Sequence, residues 1–437
     1  MRQPLLYKMS FLNSNTQGLK PSATLQINQK VKGLRDQGRD IYHFGFGQSP
    51  FPVPETIVET LKVHATYNAY LPTLGLPELR KKIASFLQQY QQVNASKESI
   101  LIGPGSKELL YQTILMINGT YLIPKGSWVS YLPQVKLNNK EFALLETHWA
   151  HNYKLQPQAL EDYCQNTNGT KILILNSPNN PTGAVYNPDE LKALAEVCRN
   201  YQVLVLSDEI YSQLSFQAPH APSISKFYPE KTIVFGGLSK VFASGGYRLG
   251  YLHLPHELNF LKDTYSSLFS ETFSAVSTPI QYAAITAFEY KKELRESVEA
   301  ARVILEALAN YVYRSLTKAQ IACTRTEGGF YMLIDFKHYK KQLKSLKLND
   351  SVSVANYLLN QFNVALLPGI DFYFSRDEFI FRLAFVDFDG KKVLSAYQKN
   401  KNILLDLKFI KTFAPNVFKG VQKIIEFTIA LDQNSHN

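Results

Sequence analysis

The clearest alternation of apolar and polar blocks in the chain lies between residues 171 and 254. Lys171-Ile-Leu-Ile-Leu-Asn176 is a short apolar run that ends in a Pro/Asn/Gly cluster. A run of that length, bounded by turn residues, predicts a strand covered on both faces. Asn187-Pro188 then reads as a helix cap followed by a first-turn proline. Leu191, Leu194, Ala195 and Cys198 recur behind it at helical spacing. Val203–Leu206 and Thr232–Phe235 are two more apolar runs, leading into Ser207-Asp208-Glu209 and Gly236-Gly237-Leu238-Ser239-Lys240. Continuous apolar strands alternating with a helix predict an α/β layer with a mainly parallel sheet. In such sheets ligands sit beyond the carboxyl ends of the strands. Asn180, Asp208 and Lys240 all follow such ends, so they are expected to converge.

Upstream, Ser99–Ile102 runs into Gly103-Pro104-Gly105-Ser106 and then a helical pattern, Leu109, Leu110, Thr113, Ile114 and Ile117. A strand, a Gly-rich turn and a helix N-terminus make an anion cradle, because free backbone N–H groups and the helix dipole face the turn. Such turns also occur merely to close a tight corner. Downstream the pattern changes. A long helical stretch covers the early 300s, and Gly329–Asp335 and Phe379–Phe385 read as alternating strands. They predict a smaller α+β lobe joined by the N-terminal segment. A single core stops growing at roughly 250–300 residues, and the chain has 437. The expected division is 1–54 and 311–437 for the two parts of the small domain, with 55–310 as the large domain.

Composition changes this picture little. Hydrophobic residues make up 45% and charged residues 19%, an ordinary globular balance. The formal charge is +11, but the basic residues are spread along the chain. The densest set, Lys337, Lys340, Lys341, Lys344 and Lys347, reads as a solvated face rather than a nucleic-acid site. Sites for phosphates and carboxylates suit the same charge. The three cysteines, Cys164, Cys198 and Cys323, form no CxxC pair. They suggest neither a disulfide framework nor a metal site, and Cys198 reads as a core thiol. The first residues, MRQPLLYKMSFLNSN, lack the apolar run of a signal peptide. No stretch reaches the roughly 20 apolar residues that span a bilayer. A cytoplasmic protein is the expectation.

Four segments carry the chemistry. They are Tyr70-Leu-Pro-Thr-Leu-Gly75, Asn179-Asn-Pro-Thr-Gly183, Ser207-Asp-Glu-Ile-Tyr211, and Ser239-Lys240 followed by Gly246-Tyr-Arg-Leu-Gly-Tyr251. In this order and spacing, from Gly45 to about Phe385, the chain resembles the class I/II aminotransferases, fold-type-I enzymes dependent on pyridoxal 5′-phosphate (PLP). The resemblance implies that Lys240 forms the internal aldimine. A buried, cation-flanked lysine has a depressed pKa and so can attack an aldehyde and move a Cα proton. Asp208 is implied to pair with the pyridine nitrogen, keeping the cofactor an electron sink. Tyr211 and Asn180 are implied to bond the ring's phenolic oxygen. Arg248 is implied to clamp the phosphate, with Gly105, Ser106, the amide of Lys107, and Ser239 completing the cradle. Trp128 matches the aromatic residue stacked on the ring. Tyr70 matches a tyrosine that reaches the phosphate of a neighbouring subunit, which implies a homodimer. Arg382 matches the arginine for the substrate α-carboxylate, with Gly47, Asn180 and Trp128 lining the same pocket. The chain departs from the pattern at Gly237, where many relatives place a hydroxyl. Either a phosphate hydrogen bond is missing there, or the glycine is needed for its conformation.

Each of these residues also has an ordinary role open to it: a surface lysine, a strand-end Asp, a turn Asn, a core Trp or a rim arginine. Together the segments imply transfer of an amino group from an L-amino acid to a 2-oxo acid through pyridoxamine phosphate. A β-lyase or an aminocyclopropane-carboxylate-synthase-like reaction uses the same motifs, since they bind cofactor and carboxylate rather than the side chain. A transcription regulator with such a domain needs an N-terminal winged helix-turn-helix, and only about 45 residues precede Gly45.

Overall fold

The computed structural model describes residues 12–433. The leader reading, which rests on the first residues, and the outermost ends of the 1–54 and 311–437 segments lie outside them.

The strands in chain order are β1 (Tyr42–His43), β2 (Ile100–Gly103), β3 (Thr120–Pro124), β4 (Phe142–Leu145), β5 (Lys171–Asn176), β6 (Leu204–Asp208), β7 (Thr232–Gly237), β8 (Gly250–His253), β9 (Ala322–Cys323), β10 (Tyr331–Asp335), β11 (Val364–Ala365), β12 (Leu367–Pro368) and β13 (Ile380–Ala384). Seven of them form one sheet in the order β2-β8-β7-β6-β5-β3-β4. All its pairings are parallel except those of β8, which runs antiparallel to β2 and β7. The apolar runs form these strands because both faces are covered. Ile172 and Ile174 join one core cluster, while Leu173 and Leu175 join another across the sheet. That is the two-residue period of a strand, with both sides dry.

The helix behind β5 spans Pro188–Asn200 and starts with a reciprocal cap. Asn187 Oδ1 accepts from the amide of Glu190 at 2.9 Å, and the Glu190 carboxylate accepts from the amide of Asn187 at 2.8 Å. Its buried face includes Leu191, Leu194, Ala195 and Cys198, as the spacing predicts. All three cysteines are buried and free.

A second, antiparallel sheet has the order β12-β13-β10-β9, and β1 pairs in parallel with β11. The N-terminal segment is thus stitched to the C-terminal third, and the amide of Ala384 also donates to Phe44 O at 2.8 Å. The expected alternation on β10 and β13 is not what the structure holds. All five positions of each strand are buried. The long helix Lys292–Lys318 and the C-terminal helix Pro415–Gln433 both add to the core cluster that includes Met332 and Ile334. Facing the other way, Leu333 packs in a separate cluster with Val129 and Phe372. This small sheet is covered on both faces too. Lys337, Lys340, Lys341, Lys344 and Lys347 are all exposed. No helix among the described residues is long and apolar enough to cross a membrane.

Candidate active site

The parallel strands deliver polar residues to one edge of the large sheet. Asp208 is the last residue of β6, Asn180 lies four residues past β5, and Lys240 three past β7. Because β8 is reversed, Arg248 reaches the same edge from just before its strand. Strand β2 ends at Gly103 and opens through Gly105 into the helix Ser106–Met116.

Lys240 Nζ donates to Gly47 O at 2.7 Å. Burial lowers its pKa to about 8, helped by the guanidinium of Arg382 and opposed by Asp208. Asp208 is buried. Its Oδ2 accepts from the Tyr131 hydroxyl at 2.7 Å, and its backbone oxygen accepts from Asn176 Nδ2 at 2.8 Å. Burial pushes its carboxyl up to about 6, against the lowering effect of Tyr131. No described cation pairs with it. Asn176 also accepts from the Asn180 amide at 2.8 Å, fixing the turn that carries Asn180.

Arg382 lies on β13 and is 1% exposed. It donates to Asn180 Oδ1 at 3.1 Å and to Gly45 O at 2.6 Å. Its guanidinium sits over the rings of Tyr331 and Phe372, at 4.7 and 5.2 Å from their centroids. No described carboxylate makes an ion pair with it, Asp371 acts on it only from beyond contact, and its Nε has no partner. A buried cation without an anion indicates a place for one. Tyr331, which opens β10 and accepts from the Thr326 hydroxyl at its backbone oxygen at 2.7 Å, links the two sides. Its hydroxyl is 2.9 Å from that of Tyr211 and 3.2 Å from Gly47 O.

At the other end, Arg248 is exposed, has φ 51°, and donates to Gly245 O and Pro104 O at 2.9 and 3.2 Å. Gly105 has φ 98°, and a Cβ there would meet Arg248 Nη2. Only glycine lets the guanidinium lie against this turn. The free amides of Ser106 and Lys107 open the helix beside it. Lys107 Nζ lies 4.8 Å over the Trp128 ring, and that ring meets Tyr131 edge-on at 5.3 Å. Surrounding protein, then Arg248, lowers the pKa of Lys107. Ser239 is partly buried next to Lys240. Tyr70 stands apart, 91% exposed.

Gly237 is not in the left-handed region. A Cβ there would come within 2.8 Å of Leu249 O and 2.9 Å of Gly250 Cα. Close approach of β7 to β8 accounts for the glycine, and a serine does not fit without backbone movement.

The edge therefore offers an amine, an unpaired buried carboxylate, a helix N-terminus with an arginine, and an unpaired buried guanidinium. A family model described as aminotransferase class I and II matches residues 39–391. The chain belongs to the class I and II aminotransferases. The aspartate aminotransferase of Bacillus subtilis (strain 168) is 31% identical over 370 residues, 83% of this chain and 91% of that protein. The aspartate/prephenate aminotransferase of Thermus thermophilus is 31% identical over 369 residues, 83% of this chain and 92% of that one. The solved structure of Thermus thermophilus aspartate aminotransferase with maleate aligns with a TM-score of 0.81 and 27% identity, covering 95% of this chain and 99% of that one. The aminotransferase has the fold-type-I architecture, and it is a PLP-dependent transaminase.

Of the residues that the motifs singled out, Lys240, Asp208, Asn180 and Arg248 share this edge and Tyr70 does not. Tyr131, Asn176 and Tyr331 were missed. Asn176 is the last residue of an apolar run, a position that had already singled out Asp208. The two tyrosines carried no comparable signal among 26 in the chain.

Proposed function

We propose that this aminotransferase holds PLP on Lys240 and takes the amino group of an acidic L-amino acid, passing it to a 2-oxo acid. The observation that carries this reading is the Lys240 amine, which shares the strand-end edge with Asp208, donates to Gly47 O at 2.7 Å and is lowered to about 8 by burial. When bound, the cofactor supplies an electron sink for the pair left as the substrate Cα–H bond breaks.

The residues present fit the group. Asp208, buried without a cation, would hold a protonated ring nitrogen. Asn180 Oδ1 faces Arg382, which leaves its Nδ2 to donate to the ring oxygen together with the Tyr211 hydroxyl. Arg248, Ser239 and the helix N-terminus at Gly105–Lys107 would hold the phosphate. Trp128 would cover the ring. Lys240, partly neutral near pH 7, can take a proton at the substrate Cα and give it back elsewhere. Arg382 would bind the α-carboxylate beside Gly47. Lys107 Nζ, at the Trp128 face without a described carboxylate partner, would bind a second carboxylate. The dicarboxylate preference agrees with the aspartate aminotransferases among its relatives and with the maleate in the Thermus structure. Tyr70, so exposed in one chain, would meet the phosphate of a second copy in a homodimer.

Borohydride treatment with PLP, followed by peptide mass spectrometry, tests the attachment. Label is expected on Lys240 in the native chain and none at any site in Lys240→Ala, which also loses turnover. Label on another lysine, or an active Lys240→Ala, would overturn the assignment. Rates with aspartate and glutamate are expected to exceed those with alanine and phenylalanine. The reverse order would sink the acidic preference and leave the attachment standing.

A further inference from the structure

Phe372-Tyr373 closes the short 3-10 turn Gly369–Phe372 between β12 and β13. Tyr373 has φ 74°, inside the left-handed region. A bulky residue there is an outlier and is strained unless its surroundings hold it. Its surroundings do. The phenol donates to Trp128 O at 2.6 Å and accepts from the amide of Leu132 at 3.2 Å. One residue earlier, Phe372 O accepts from the amide of Gly126 at 2.9 Å. Three hydrogen bonds thus join this turn of the small sheet to both sides of Trp128.

What they hold is the wall of the site. Trp128 O also accepts from the amide of Tyr131 at 3.2 Å, so the phenol and the start of the helix Tyr131–Leu137 share one carbonyl. From that helix the Tyr131 hydroxyl reaches Asp208. The Phe372 ring lies against the Arg382 guanidinium. The turn therefore touches the aromatic wall, the helix that orients the carboxylate, and the buried arginine at once.

We infer that Tyr373 is a positioning residue: its strained turn pins Trp128 and the start of the following helix so that the ring site has its shape before anything binds. The inference rests on the reading of Trp128 as the cofactor's wall. Preorganisation of this kind acts on a site only if the pinned group is otherwise free to move.

The chain has two tryptophans, so Trp149→Phe, outside the site, leaves Trp128 as the sole tryptophan, read with excitation at the red edge where tyrosine does not absorb. In this background, acrylamide quenching is measured on the full chain without PLP, and PLP affinity and turnover are measured on the same protein. Tyr373→Phe removes only the hydroxyl. It is expected to raise the quenching constant about 2-fold or more and to weaken PLP binding about 3- to 10-fold, the scale of one or two lost hydrogen bonds. Tyr373→Gly removes the strain along with the phenol. It should give at least the same rise in quenching, with a thermal midpoint below that of Tyr373→Phe because the ring's packing against the core is lost as well. Unchanged quenching in both variants overturns the inference, whether or not the chain binds PLP. Raised quenching with PLP affinity and turnover unchanged also overturns it. Failure of the parent chain to take PLP on Lys240 would be seen separately and would sink the functional reading instead.

Discussion

The two arginines of the site are held in opposite ways. Arg248 is exposed, bonds two backbone carbonyls, and works beside a helix N-terminus on a glycine turn. Arg382 is fully buried between two rings, with an amide oxygen and a carbonyl on its donors and Nε left over. The first arrangement suits an anion that stays. Backbone dipoles share the charge, and no single side chain carries it. The second suits an anion that comes and goes. A desolvated guanidinium fixed in advance binds a carboxylate strongly, because nothing has to be reorganised on its arrival.

If that contrast is right, mutation should separate the two ends. The largest effect is expected for Arg382→Ala. It should raise KM for amino acids at least about 10²-fold, since leaving one member of a buried charge pair unmatched costs about 3–5 kcal/mol. PLP affinity, followed by fluorescence during dialysis, should stay within about 2-fold of the native chain, because in the proposed arrangement the phosphate would lie at Arg248's end, away from Arg382. Equal loss of PLP would mean that the two ends are not independent.

Arg248→Ala should do the converse and by less. PLP affinity is expected to fall about 10-fold, the helix N-terminus retaining part of the attraction. At saturating PLP, KM for amino acids should be nearly native. A large rise in KM there would erase the distinction between resident and passing anions.

The smallest effect sharpens the comparison at the strand pair beneath Arg248. Gly237→Ser forces a Cβ against Leu249 O and Gly250 Cα. Gly250 is itself packed against the amide of Ser106. Overpacking of this kind lowers stability by about 1–3 kcal/mol, read as a lower midpoint of thermal unfolding together with faster PLP release. A tighter PLP complex would instead restore the idea of a missing hydroxyl.

How far the sequence spoke depended on the region. Around β5 to β7 it spoke clearly, since an unbroken apolar run has one plausible use and the polar residue at its end is displayed. That logic brought Lys240, Asp208 and Asn180 to one edge, and the roles given to them came from the family resemblance. The small sheet was harder. Apolar alternation on β10 and β13 looked one-sided, because helices more than 30 residues from β13 in sequence supply its second cover. Tyr331 and Tyr373 were silent for a related reason. Their value lies in one hydroxyl meeting a partner 120 or 245 residues away, and nothing local marks such a meeting. Gly237 could be noticed but not explained, because the reason is the backbone of a neighbouring strand.

The reversed strand β8 has a consequence for the birth of the molecule. It pairs Ile100 with His253 and Gly103 with Gly250, so the cradle joins segments about 150 residues apart. Pairings of such span form slowly, since a long loop must close before any contact rewards it. On the ribosome, residues 100–107 emerge long before Arg248 exists. During that interval the edge of β2 that pairs with β8 is unfilled, because β8 has not yet been made. Until residue 253 has been made, β2 and β7 lack the strand that joins them, and the part of the cradle that Arg248 supplies waits for that last strand to slot in between its two neighbours.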